Sequence, residues 1–169
     1  PQNPDTSDVG RTDNDGHGTH VAGIAAGDGV GVAKNSIIVP VRALDSCGNG
    51  TRTMILEGLA WILADHDAGE KAVLNLSVGF GEQVSEVDNA ITALMNEGVL
   101  VAAAAGNSSR SACSSTPAST FGTISIGSST LVDGESSFSN YGSCVDMFAP
   151  GGSSAQGGAI TSAYPYLSG

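Results

Sequence analysis

Two short apolar runs, residues 72–78 and 99–105, enclose a segment of helical periodicity, and that arrangement leaves few folds open. The first run is broken only by Asn75 and Ser77, and the second is all valine, leucine and alanine. Continuous apolar runs of this length mark strands buried on both faces. Between them Val84, Val87, Ile91, Leu94 and Met95 share one helical face; Ser85 with Asp88 forms a box-like start, and Gly98 ends it. Upstream, residues 51–67 carry the same spacing through Ile55, Leu59, Ile62 and Leu63, with Gly69 as the stop. Residues 36–42 are β-branched and predict a strand, which Pro40 places at an edge or a bulge. Residues 19–26 predict a short helix of small side chains, and residues 122–127 and 144–148 two shorter strands. Strand, helix, strand, helix, strand predicts a three-layer α/β fold, a mostly parallel sheet with helices on both faces. No repeat or internal boundary is visible, so residues 1–169 read as one domain. Sites in such sheets form outside the carboxyl ends of the strands, here Ser77, Val78 and Gly79 and then Gly106 and Asn107.

Composition excludes several classes. Six basic and seventeen acidic residues give a net charge of −11, which repels phosphate backbones and argues against a nucleic-acid partner. No apolar run approaches the roughly 20 residues of a membrane span. The first residues have neither the basic end nor the apolar core of a signal peptide, and Met is absent from position 1. With the stop at Leu167, Ser168 and Gly169, the chain is expected to be mature, processed or incomplete. Gly27-Asp28-Gly29-Val30-Gly31 follows a helix rather than a strand and lacks dinucleotide spacing. It reads as a connector, which counts against a nucleotide-binding domain.

The stretch richest in chemistry is Asp13-Asn14-Asp15-Gly16-His17-Gly18-Thr19-His20-Val21-Ala22-Gly23. A histidine between two glycines at the mouth of a small-residue helix has open backbone around it, which suits an imidazole that must meet a substrate and a nucleophile. Alone, it is more simply a capping or core histidine. Alone, Asn107 is a turn residue after a strand, and Gly48, Asn49 and Gly50 a surface turn. A zinc pair of His17 and His20 lacks the glutamate of His-Glu-x-x-His, since position 18 is Gly.

Together, four ordered blocks resemble subtilisin-like serine proteases, and are similar to the proteinase K branch in several places. They are the His17 motif, Asn75-Leu76-Ser77-Val78-Gly79, Val101-Ala102-Ala103-Ala104-Ala105-Gly106-Asn107, and Ser136-Ser137-Phe138-Ser139-Asn140-Tyr141-Gly142 running on to Phe148-Ala149-Pro150-Gly151. The resemblance implies a serine endopeptidase acting through an acyl-enzyme, with His17 as general base. It implies Asn107 as the side-chain donor of the oxyanion hole and His20 as a buried structural imidazole. Gly48, Asn49, Gly50 and Ser77, Val78, Gly79 become the two edges that take up an extended polypeptide substrate. Val78 with Ala104, Ala105 and Gly106 becomes a wall of its side-chain pockets. A secreted monomer is implied, with polypeptide as its partner and neither nucleic acid nor membrane.

The family's catalytic acid follows a strand farther upstream than the sixteen residues before His17 allow. Asp5-Thr6-Ser7 superficially suits that motif, but no apolar strand precedes it, and Asp5 is not assigned. Gly169 matches the first Gly of the family's Gly-Thr-Ser-Met-Ala motif, so Ser168 is not the nucleophile, which is expected two residues further on. The chain is therefore expected to be a central part of the catalytic domain, incomplete at both ends and by itself inactive. A catalytically dead member serving as a binding module is the rival reading. The resemblance also implies a disulfide between Cys113 and Cys144. Cys47 is expected to be free, because relatives that bridge there use a cysteine just before the histidine motif, where this chain has Asp13-Asn14-Asp15. Finally, it implies a structural Ca²⁺ on Asp146 and the carbonyls of Phe121 and Thr123, oxygen donors that suit a hard cation.

Overall fold

All but one of the expected elements form, with their ends moved by a few residues. The computed structural model describes residues 13–152 and 159–165. The chain divides into two compact units, Pro1–Asp65 with Thr161–Gly169, and His66–Ile160.

In the first unit, α1 (His17–Ala26) begins two residues before the apolar pattern does. Beyond it the chain folds back, and the amides of Val32 and Ala33 donate to the carbonyls of Ile24 (3.2 Å) and Ala25 (2.8 Å). These bonds satisfy acceptors that a helix end leaves orphaned, so residues 27–31 are the expected connector. The second helix, α2 (Arg52–Asp65), starts where the Thr51 hydroxyl accepts from the Met54 amide at 3.2 Å. Ile55 and Leu59 are buried, whereas Leu63 is exposed. The strand expected at residues 36–42 does not form. Ile37 is 90% exposed, and no described strand lies in register with the segment. Strand preference is realised only against a partner, and Pro40 removes one donor from the ladder.

The second unit is built on a sheet of β1 (Val73–Leu76), β2 (Leu100–Ala104), β3 (Ile124–Ser129) and β4 (Met147–Pro150), in that order and all parallel. The last two strands lie two to three residues beyond the expected 122–127 and 144–148. The third helix, α3 (Ser85–Asn96), links β1 to β2 and packs on β2. Val87, Ile91 and Leu94 of its apolar face are buried, as are Val101 and Ala103 of β2. Burial along β2 alternates, and Val73 and Leu100 are exposed, so these strands are not buried on both faces as their composition predicts. A short 3₁₀ helix (Ala112–Ser114) follows β2, and the Cys113–Cys144 disulfide ties it to the segment before β4.

The expected Ser85–Asp88 box is also replaced. Val84 occupies the N-cap position, with no side-chain cap bond. The Asp88 carboxylate instead accepts from the buried hydroxyls of Thr116 (2.8 Å) and Thr120 (2.5 Å), and Thr116 Oγ1 accepts from the Val84 amide (2.9 Å). One side chain thus joins the start of α3 to the loop before β3. Asp88→Ala would strand two buried hydroxyls, at a cost of roughly 1–3 kcal/mol. Urea unfolding should show this loss, and an unchanged midpoint would remove Asp88 from the account of stability.

Candidate functional site

The two residues expected to carry catalysis, His17 and Asn107, lie in different units. In the first unit, two carboxylates hold the turn before His17. Asp13 Oδ1 accepts from the amides of Gly16 (2.7 Å) and Asp15 (3.2 Å), and its Oδ2 from the amide (2.8 Å) and hydroxyl (2.7 Å) of Thr19. Asp13 therefore anchors the first turn of α1, with its charge at the favourable end of the helix dipole. Asp15 Oδ1 accepts from the His17 amide at 3.3 Å. Gly16, at φ 97°, lies in the left-handed region, and a Cβ on it would overlap the ring of Tyr164. Tyr164 donates its hydroxyl to the Asp15 carbonyl (3.3 Å), and Ser162 donates to the His20 carbonyl (2.6 Å). His17, the first residue of α1, is exposed. His20 is half-buried rather than buried.

The turn of Gly48, Asn49 and Gly50 belongs to the same unit. Asp45 Oδ1 accepts from the amides of Cys47 and Asn49, both at 2.9 Å, and these bonds hold its carboxyl below the ordinary range. Gly48 faces the Asp15 carboxylate, so this turn lies beside the start of α1. Cys47 is a free, exposed thiol.

In the second unit, Ser77, Val78 and Gly79 continue β1 past its carboxyl end. The Asn75 side-chain Nδ2 donates to Ser77 Oγ (2.9 Å), and the Phe80 main-chain amide to the Thr116 carbonyl (2.8 Å). Gly106 and Asn107 continue β2 in the same way, and Asn107 is exposed. Ala104 is half-buried, but Ala105 packs inward with Ala112 and Ala118. Ala105 is thus a core residue and not part of a pocket wall, because alternate residues of an extended chain point to opposite sides. Asp146 donates its amide to the Ser125 carbonyl (2.9 Å) and accepts from the Ser125 amide on Oδ2 (2.8 Å). Phe121 is fully open to solvent, and Thr123 is buried. Asp5, Ser168 and Gly169 lie outside the described residues.

Sequence reasoning passed over Asp13 and Asn140. The capping rule does not mark the first, because Asp13 lies three residues before the N-cap, Gly16. For Asn140 only its place in the Ser-Asn-Tyr-Gly block stood out, because its partners are some thirty residues away, Ser108 being 32 and Arg110 30.

The chain belongs to the subtilase family of S8 peptidases, whose profile matches residues 2–168. It is 44% identical over 152 residues to an extracellular serine proteinase of Thermus sp. strain Rt41A, covering 90% of this chain and 35% of that protein. It is 41% identical over 161 residues to the subtilisin-like serine protease Pen c 1 of Penicillium citrinum, covering 94% and 39%. Among solved structures, a cold-adapted subtilisin-like serine proteinase superposes with a TM-score of 0.78 at 44% identity, over 83% of this chain and 50% of that one. A protease from Pseudoalteromonas arctica PAMC 21717 superposes with a TM-score of 0.72 at 35% identity, over 81% and 44%. The subtilisin-like α/β fold expected from the sequence is thus the fold of the chain. The chain spans about a third of the length of the curated relatives it matches.

Asp13 gives this region a pH dependence. Burial works to raise its pKa, but the Thr19 hydroxyl and the amides of Gly16, Thr19 and Asp15 outweigh it and lower the pKa from 3.8 to about 2. The folded state favours the ionised form, so this stabilisation is complete above pH 3.8 and is lost as pH falls through about 2. Asp13→Asn should flatten that acid limb in urea unfolding measured across the window. Parallel limbs for the two proteins would exclude Asp13 as its source.

Proposed function

We propose that this chain supplies the general base and the oxyanion donor of a secreted serine endopeptidase that cleaves polypeptides through an acyl-enzyme. The observation that carries the reading, in a chain of the subtilase family, is that His17 is exposed while the turn before it is held in place by Asp13 and Asp15. In the proposed reaction the His17 imidazole takes the proton of a serine hydroxyl as its oxygen attacks the scissile carbonyl. The imidazolium then gives that proton to the leaving amine. The Asn107 amide donates to the oxygen that becomes negative in the tetrahedral intermediate. Gly48, Asn49 and Gly50 and, separately, Ser77, Val78 and Gly79 are the backbone edges proposed to take up extended substrate, with Val78, Ala104 and Gly106 as pocket residues. Secretion is supported by the name of the extracellular Thermus relative and by the disulfide, a bond that persists in oxidising compartments. The protein is taken as a monomer.

In the full-length protein a fluorophosphonate probe should label one serine, and His17→Ala should abolish that labelling. Asn107→Ala should lower kcat by roughly 10²–10³, a magnitude established on a subtilisin, while KM stays within a few-fold. A full-length protein that binds peptides yet refuses the probe would be the catalytically dead binding module instead.

A structural Ca²⁺ on Asp146 and the carbonyls of Phe121 and Thr123 is part of the same reading. What supports it is the donor set: the Asp146 carboxylate is fixed on Ser125, two residues from Thr123, and all the donors are oxygens. No cluster of three His, Cys, Asp or Glu side chains occurs among the described residues, so main-chain carbonyls and water would complete the 6–8 ligands that calcium takes. Calcium would neutralise charge and cross-link the two segments. Asp146→Ala in the full-length protein should abolish the rise of Tm with added Ca²⁺ over chelator. An equal rise in both proteins would place the ion elsewhere.

A further inference from the structure

Asn140 is 2% exposed, and burying a primary amide costs free energy unless its donors and acceptors are met. Here they are met by one short stretch of backbone. Its Nδ2 donates to the Ala105 carbonyl (2.8 Å), and its Oδ1 accepts from the amides of Ser108 (3.0 Å) and Arg110 (3.3 Å). The Asn140 main-chain amide donates to the Gly106 carbonyl (2.9 Å). The residues bound lie on both sides of Asn107, two before it and two after it. Asn107 itself is exposed, and its side chain makes no hydrogen bond among the described residues.

Gly106 completes the lock. Its φ of 107° is left-handed, and a Cβ there would overlap the Asn140 amide nitrogen. The residue before Asn107 is therefore glycine for two reasons at once, and the second is Asn140. The neighbouring backbone is fastened too, since the Ser109 amide donates to the Phe138 carbonyl and the Tyr141 amide to the Arg110 carbonyl, both at 3.0 Å.

We propose that Asn140 is a positioning residue that sets the aim of Asn107. This rests on the reading of Asn107 as the oxyanion donor. Stabilisation of a developing oxyanion depends on a donor fixed before charge appears, because a donor that must reorient then contributes less. Asn140 supplies that fixity by holding the peptide planes at 105, 106 and 108. A residue that only stapled two loops together would affect stability with no special link to Asn107.

The test is a double-mutant cycle in the full-length protein, read as kcat and KM on a chromogenic peptide, with thermal melts alongside. Asn140→Ala should lower kcat by roughly 10–100-fold, the scale of about a 1 Å misplacement, with KM within about twofold. Asn140→Asp keeps the acceptor for Ser108 and Arg110 and loses the donor to Ala105. It sets a carboxylate oxygen against the Ala105 carbonyl and should lower kcat as well, and it carries the test should the alanine variant fail to fold. In the Asn107→Ala background either substitution should change kcat by less than about twofold, because the group being aimed is gone. An Asn140 variant with unchanged kcat overturns the proposal, and so does an equal loss in the presence and absence of Asn107. If Asn107→Ala alone leaves kcat intact, the oxyanion reading fails first, and that outcome is visible in its own arm of the cycle.

Discussion

The parallel register of β1, β2 and β3 is the constraint on which the second unit depends. Leu76 pairs with Ala103, and Ala104 with Ile126, so the strands leave the sheet on one side and nearly level. Ser77, Val78 and Gly79 therefore emerge beside Gly106 and Asn107. Parallel strands cannot be joined by hairpins, so each return connection is long. The connection from β1 to β2 contains α3, but those from β2 to β3 and from β3 to β4 contain almost no regular structure. Chemistry in such a sheet concentrates at these connections, and their rigidity has to be built separately from the sheet.

That rigidity comes from small polar side chains. Thr116, Ser125, Ser136, Ser139 and Asn140 are buried in or beside the long connections. Most pair with backbone or with one another: the Ser139 hydroxyl accepts from the Ser128 amide (3.0 Å), and Ser128 and Ser136 share a hydroxyl bond (2.8 Å). Such groups contribute little net stability, but they penalise any arrangement that leaves them unpaired, and so they select one conformation. The Cys113–Cys144 bridge acts differently on the same pair of connections. It closes a loop of 31 residues in the unfolded chain, worth roughly 3–4 kcal/mol on the chain-entropy view. The bridge opposes unfolding, and the hydroxyls and Asn140 set the shape.

The parts of this fold legible in the sequence were those specified locally. The face of α3 and part of that of α2 followed from periodicity, the cores of β1 and β2 from their apolar runs, and the histidine and oxyanion blocks from the resemblance to subtilisin-like proteases. Several of the failures share one physical cause, a partner that the local sequence does not reveal. Asp88 reads as half of a capping box until Thr116 and Thr120 arrive from some thirty residues away, 28 and 32 along the chain. Residues 36–42 have the composition of a strand, but no described neighbour completes a ladder. The resemblance made Ala105 part of a pocket wall, yet it packs into the core with Ala112 and Ala118. For the candidate site, residue types and spacing left His17 and Asn107 with ordinary readings, and the family resemblance is what singled them out. Neither found Asp13 or Asn140, which hold the backbone around those groups.

Asp13, Asp45, Asp88 and Asp146 show how a chain with seventeen acidic and six basic residues accommodates its charge. Too few cations exist to pair with every carboxylate, and each of these four turns to N–H or O–H groups instead. A carboxylate bonded to amides is held at short range and with direction, so it orders a turn in a way that a screened surface ion pair does not. It does nothing, however, to cancel the surplus of negative charge, which opposes compaction. The interactions that shape the turns at α1 and beside Cys47 therefore leave a long-range repulsion in place. A hard divalent cation can relieve that repulsion, which gives the proposed calcium at Asp146 a reason to exist in this chain beyond local cross-linking.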